Sequence, residues 1–326
     1  MKKMTCRESI KEALIEEMRR DPSVYLLGED LADPMGGSLK VTLGISSEFG
    51  TERVRNTPIS ESAILGCAIG SAIQGLRPVA EIMYQDFFTV CMDMIINQMA
   101  KIHFMSGGAV KVPLVVRTQG GAGRNAAGQH SQSLEALLMH IPGLTVVTPS
   151  CAADAKGLLK AAIRSDDPVI FIENCQLYNI KSDVPEDEDL VIPLGKAVVR
   201  REGSDVTLVS YWRMVNDCLK AAEELEKQGI HAEVIDLRTI LPMDMETVLK
   251  SVEKTHRLVC VSEDVDIGSV CKEIGANVAR DAFYSLDAPI GYVNTAFTTI
   301  PFCPALEATV LPNVQSIITA VQKTLE

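Results

Sequence analysis

Short apolar runs separated by longer, polar-striped stretches constrain this chain more than any other feature. Residues 23–28 (SVYLLG), 77–83 (RPVAEIM), 110–118 (VKVPLVVRT), 144–150 (LTVVTPS) and 167–174 (DPVIFIEN) read as buried strands. Helices are expected between them, at 61–75, 86–105, 133–140 and 154–164. The alternation resumes with strands at 205–211 (DVTLVSY), 232–238 (AEVIDLR) and 257–264 (RLVCVSED), and helices at 216–228, 245–253, 270–282 and 313–325. Apolar strands that alternate with helices build a mainly parallel sheet covered by helices, the α/β class. Residues 181–193 (KSDVPEDEDLVIP) are acidic and carry prolines, as exposed inter-domain segments do. The expectation is therefore two parallel-sheet α/β domains, 1–180 and 197–326, joined by a linker at 181–196.

With 326 residues the chain is long enough for two such cores. Its formal net charge of -12, with no run of Lys or Arg longer than two, argues against nucleic acid or an anionic membrane as the main partner. The nine cysteines show no C-x-x-C pair and no grouping with histidine at metal-ligand spacing. Several, such as Cys67 and Cys260, sit in apolar runs where a reduced thiol acts as a small hydrophobe, which suits a cytoplasmic location. The start of the chain, MKKMTCRESIKEALIEEMRR, reads as an amphipathic helix with Ile10, Leu14, Ile15 and Met18 on one side, unlike a signal peptide. No apolar run has the length of a membrane span.

Residues 56–87 (NTPISESAILGCAIGSAIQGLRPVAEIMYQDF) hold the first candidate for chemistry. Pro58 drives Thr57 out of the helical region, Ser60 suits an N-cap, and Gly66, Ala68, Gly70 and Ala72 allow close backbone approach. Glu61 thus opens a helix whose body, to Gly75, has no second charge. A favourable charge at a helix N-terminus is one account of such a residue. A desolvated acid or base is the other.

His130, in QHSQS, is the second candidate. It follows a loop containing Gly120, Gly121, Gly123 and Gly128, just before the expected helix, whose N-terminus favours a neutral imidazole able to give or take a proton. A loop histidine bonding its neighbours is the plainer account, and His140 reads as structural. Gly28, Gly36, Gly37 and Gly44 do not form G-x-G-x-x-G, and no G-x-S-x-G elbow occurs, so dinucleotide chemistry and hydrolysis lack support. Met83, Phe87 and Phe88 read first as core. The second α/β region shows few isolated charges in apolar settings and reads as a scaffold.

Taken in order, RVRNTPISE, GLRPVAEIM, DFFTVCMDMIIN, QHSQSLEA, HIPGLTVVTPS, DAKGLLKAAI, DDPVIF and GIHAEVIDLRTILPMD resemble the β subunit of the thiamine-diphosphate-dependent decarboxylating component of 2-oxo acid dehydrogenase complexes. The likeness runs over nearly the whole chain. It implies a transketolase-like pyrimidine-binding domain, a transketolase C-terminal-like domain, and an α2β2 heterotetramer with α subunits. It further implies that Glu61 meets the aminopyrimidine ring and shares a proton with it, that Ile59, Met83 and Phe87 line the pocket, and that His130 acts near the reacting carbon and the incoming lipoyl group. A potassium site would take Leu114, Ala162, Ile163, Ser165 and Asp167. The Gly-Asp-Gly motif and downstream Asn that hold magnesium and diphosphate are missing, so the resemblance implies that the α subunit holds Mg and shares the cofactor.

Within that family, DFFTVCMD, RTQGGAGRNAAGQHSQSLEA and AFTTIPFCPALE are similar to the acetoin dehydrogenase branch, although Gln119 stands where that branch has Pro and residues 93–95 depart from its DQI. The resemblance implies cleavage of acetoin to acetaldehyde and an acetyl group passed to the lipoyl arm of a dihydrolipoyl acyltransferase. Pyruvate or a branched-chain 2-oxo acid is the alternative substrate, and a mainly structural subunit docking the acyltransferase core is the alternative role.

Overall fold

The computed structural model describes residues 1–187 and 189–326, so position 188 of the expected linker lies outside the described residues. The chain divides into two compact units, one of residues 1–120 and 138–194, the other of 121–137 and 195–326.

The first unit begins with strand β1 (Lys2–Thr5) and helix α1 (Cys6–Arg20). Thr5 starts the helix in a capping box: its hydroxyl accepts from Glu8 N, while Glu8 accepts from Thr5 N at 2.8 Å. Such a cap contributes about 1 kcal/mol. Strands β2 (Val24–Gly28), β3 (Val54–Asn56), β4 (Arg77–Ile82), β5 (Val115–Gly120), β6 (Thr145–Val147) and β7 (Val169–Asn174) form the sheet, in the order β6-β7-β5-β4-β2-β3. Every one of these pairings is parallel, as the apolar runs required. Helix α2 (Ile45–Phe49) precedes β3, and α3 (Glu61–Ile73) joins β3 to β4.

The single helix expected at 86–105 is instead a 3-10 turn (Gln85–Phe87), α4 (Phe88–Asp93), a π-helical stretch (Met94–Met99) and α5 (Ile102–Met105). Cys91, at φ -116° and ψ 18°, breaks the regular helix inside α4. Apolar spacing marks the buried face of such a segment but not the ring size of its hydrogen bonds. Short α6 (Glu135–Met139) and long α7 (Ala152–Arg164) follow. Helix α7 packs on α1 through a ladder of charges that each find a partner. Buried Lys156 bridges Glu12 and Glu16 at 2.9 and 2.7 Å, and Arg164 reaches fully buried Glu17 at 2.7 Å. Ile10, Leu14, Leu26, Val79, Leu158 and Phe171 centre the core of this unit.

Strand β8 (Lys181–Val184) corrects the expected linker: it pairs antiparallel with β1, Lys2 opposite Val184, so these residues are structured with the first unit. Their polar sequence hid this, because only Val184 turns inward fully.

In the second unit β9 (Val198–Arg201), β10 (Val206–Ser210), β11 (Ala232–Asp236), β12 (Thr239–Leu241), β13 (Leu258–Val265) and β14 (Gly291–Thr295) accompany α8 (Met214–Glu226), α9 (Met245–Thr255), α10 (Val270–Asp281), α11 (Pro304–Val310) and α12 (Val314–Leu325). Five strands run in the order β14-β13-β10-β11-β9, parallel except for edge strand β9. Leu208, Val234, Val259, Ala221 and Ile317 sit at its core.

Residues 121–137 also belong here, which the expected 1–180 domain did not foresee. Two carboxylates hold the segment by its backbone. Glu263 accepts from Ala122 N at 2.6 Å, and Glu307 accepts from Gly123 N and Asn125 N at 2.8 and 2.9 Å. The scaffold reading of this region missed such groups: Glu263, Asp264, Asp236 and Glu233 are all buried.

Candidate cofactor-binding site

Chain order locates a crevice in the first unit. After β2 the chain adds β3 on one side, then crosses to β4 on the other. Open parallel sheets bind ligands outside the carboxyl ends of their strands at such a reversal. Register makes the three ends level, with Gly28 opposite both Asn56 and Glu81. Glu29, the 57–61 turn and the 83–87 turn are the residues just beyond those ends.

Glu61 is the first residue of α3 and only 9% exposed. Ser60 holds the N-cap position through its carbonyl, which accepts from Ile64 N at 2.9 Å, but its hydroxyl makes no cap bond. Among the described residues none donates to the Glu61 carboxylate. Nearby, the hydroxyl of Thr57 is buried without a hydrogen-bond partner, while its N–H donates to Gly28 O at 2.9 Å. Two polar groups at this mouth are thus turned toward something other than the chain.

Electrostatics bind Glu61 to two neighbours that sequence reading did not single out. Burial first, then the charges of Glu61 and Asp30, push the Glu29 carboxyl above its ordinary range. Burial and the same Glu61 charge push the Cys91 thiol up to about 12. The signal for Glu29 was its place directly after a strand, which acquires meaning only once strand order is known.

The apolar residues expected to line the pocket are open to solvent to different degrees. Ile59 is 82% exposed, and Met83 and Phe87 are half-buried. The Phe87 ring meets Tyr84 edge-on at 5.9 Å. Of the three residues read as core, only Phe88 goes there. Helix α3 is also less enclosed than expected: Ile64, Leu65, Ala68 and Ile69 face inward, while Cys67 and Gly70 are exposed.

Behind the crevice three adjacent strands share a buried ionic row. Arg117 on β5 donates to Glu81 on β4 at 2.9 Å, and twice to Glu173 on β7, at 2.6 and 2.9 Å. The Tyr178 hydroxyl donates to Glu173 and lies 3.0 Å from the Gln119 carbonyl oxygen, and the amide nitrogen of Gln119 in turn donates to Ser38. Burial raises the Glu81 carboxyl although Arg117 opposes it. Burial works against the guanidinium, and Glu173 and Glu81 more than restore its charge. A charged residue toward the carboxyl end of each of three apolar runs was the available signal.

The residues expected around potassium are held as follows. Leu114 O accepts from Val169 N at 2.9 Å and Ala162 O from Ser165 N at 3.2 Å. Ile163 O and Ser165 O accept from the Arg77 guanidinium at 3.0 and 2.7 Å, and Asp167 N donates to Ser165 Oγ. Among the described residues there is no cluster of three or more His, Cys, Asp or Glu suited to a metal.

His130 belongs to the second unit and is half-buried. Helix α6 begins at Glu135, and His130 lies in the loop ahead of it.

Family models agree with both units. Residues 2–181 match the transketolase pyrimidine-binding domain, and residues 195–317 the transketolase C-terminal domain. The chain is 47% identical to the acetoin:2,6-dichlorophenolindophenol oxidoreductase subunit beta of Cupriavidus necator, over 100% of this chain and 98% of that one. It is 48% identical to the pyruvate dehydrogenase E1 component subunit beta of Rhizobium meliloti, over 99% of this chain and 70% of that one. A solved split-gene transketolase, described as an inactive beta4 tetramer, superposes with a TM-score of 0.78 at 25% identity, covering 99% and 98% of the two chains. The chain belongs to the transketolase-like family, among the β subunits of 2-oxo acid dehydrogenase E1 components.

Proposed function

We propose that this chain is the β subunit of an acetoin-cleaving dehydrogenase, binding thiamine diphosphate jointly with an α subunit in an α2β2 assembly. The observation that carries it is Glu61: a nearly buried carboxylate at the switch point to which no donor among the described residues is bonded. A nitrogen heterocycle fits that demand, and Ile59, Met83 and Phe87 offer it apolar faces. The carbon nucleophile comes from thiamine diphosphate when it is bound.

Glu61 then holds or gives a proton at a ring nitrogen, the task for which a desolvated carboxylate is suited. Cys91, whose thiol is held protonated by burial, stays inert beside it. His130 is the second acid-base group of the reading, serving the reacting carbon and the lipoyl group of an acyltransferase partner. Magnesium and the diphosphate fall to the α subunit in this reading, because the family's Gly-Asp-Gly motif does not occur in this chain.

Acetoin rests on the branch-like sequence around 119–136 and 296–307 and on the similarity to the C. necator subunit. Equal identity to a pyruvate dehydrogenase subunit keeps pyruvate as the competing substrate. Reconstitution with the α subunit and acyltransferase, assayed on both, is expected to give kcat/KM for acetoin about a hundredfold above pyruvate, a difference of about 2.7 kcal/mol in barrier. Pyruvate turnover with none on acetoin removes the assignment.

Potassium at Leu114, Ala162, Ile163, Ser165 and Asp167 would add a positive charge beside Arg77, which already occupies two of those carbonyls. Thermal melts in KCl and NaCl at equal ionic strength decide it. A higher midpoint in KCl supports the ion, since a ligand of the native state raises stability; equal midpoints remove it.

A further inference from the structure

The second unit contains a cavity of about 380 Å³ where the carboxyl ends of β13 and β14 meet the 121–137 segment. That size suits a small ligand. Its mostly apolar lining is set with hydroxyls, among them Ser131, Ser133, Thr298 and Thr299, with the exposed ring of Phe297 at the rim.

Two of these hydroxyls are out of place in an interior. Ser131 is 2% exposed and its Oγ has no hydrogen-bond partner; the Ser133 Oγ is likewise buried and unpaired. Buried hydroxyls are nearly always paired, and an unpaired one facing a cavity calls for a partner from outside the chain.

Charge narrows what that partner is. Glu263 is the one ionisable group among the described lining residues, and both its oxygens are engaged, one by Ala122 N at 2.6 Å and the other by Arg213 Nε at 2.9 Å. An anion entering the cavity meets no counter-charge, and an ammonium meets a carboxylate already neutralised. We propose that this cavity binds an uncharged short-chain molecule bearing hydroxyl or carbonyl oxygens, a diol or hydroxyketone, held by the Ser131 and Ser133 hydroxyls with its carbon frame against Phe297. The proposal holds for either substrate of the assembled enzyme.

Saturation-transfer NMR on the full chain tests this, with 2,3-butanediol and pyruvate as probes against wild type, Ser131→Ala and Thr298→Trp. The diol is expected to receive saturation and pyruvate, at equal concentration, none. Ser131→Ala should weaken the diol at least tenfold without lowering the melting temperature, because its hydroxyl has no internal bond to lose, and Thr298→Trp should block the mouth. Absence of diol binding, equal binding of pyruvate, or full binding by either variant overturns the proposal. So does a Ser131→Ala chain that melts several degrees lower, which would show that the hydroxyl was already satisfied.

Discussion

Glu61→Gln is expected to lower turnover of the reconstituted enzyme about a thousandfold while leaving the assembly intact, the scale on which a positioned acid-base group contributes. Gln keeps the shape of the side chain and removes its ability to hold a proton. Stability should not fall, since the carboxylate is nearly buried and has no donor among the described residues to lose. Glu29 gives an independent readout. Its carboxyl is raised in the folded chain by burial and then by the Glu61 charge. A raised carboxyl stabilises the fold below its unfolded pKa and loses that contribution as pH rises through the folded value. Removing the Glu61 charge lowers the Glu29 value, so this loss should move to lower pH in Glu61→Gln, as urea melts across pH 4 to 8 would show. Near-normal turnover in an intact complex would instead favour a subunit whose role is assembly.

Arg117→Met should be the most destabilising single change outside the hydrophobic cores, costing about 3–5 kcal/mol, the range for stripping one partner from a buried ion pair. Two carboxylates, Glu81 and Glu173, would be left in the sheet interior without their guanidinium. The sign with pH follows. Glu81 is already raised by burial, and without Arg117 it rises further. The variant should therefore be least deficient at low pH, where Glu81 is protonated, and increasingly deficient as pH rises. A deficit that is flat from pH 5 to 8 would show that the row is not held by charge. The triple replacement Glu81→Leu, Arg117→Met, Glu173→Leu should recover much of the loss, as apolar substitutes for buried ion pairs do.

The parallel sheets were legible because a strand buried on both faces must be apolar along its whole length, as LVV and VIFI are. Strands β1 and β8 were not, for a short exposed ribbon leaves polar residues such as Lys2, Lys181 and Asp183 in place and resembles a linker. Glu61 stood out locally, by being the lone charge of its helix. Glu29 did not, because its neighbour Glu61 lies one strand connection away and only the parallel pairing of β2 with β3 brings the two ends level. The helix at Glu135 begins two residues after the expected 133, where the chain is still leaving the loop that Glu263 and Glu307 anchor at its other end.

That anchoring has a bearing on the order in which the polypeptide acquires its structure. Ala122 and its acceptor Glu263 are 141 residues apart, and Gly123 and Glu307 are 184 apart. A ribosome adding about 5–20 residues each second makes the segment wait on the order of ten seconds for its first carboxylate. During that interval strands β6 and β7 emerge and can join the first sheet while the segment is still unheld. The glycines of 120–128 keep such a stretch soluble and unstructured until the second sheet exists to receive it.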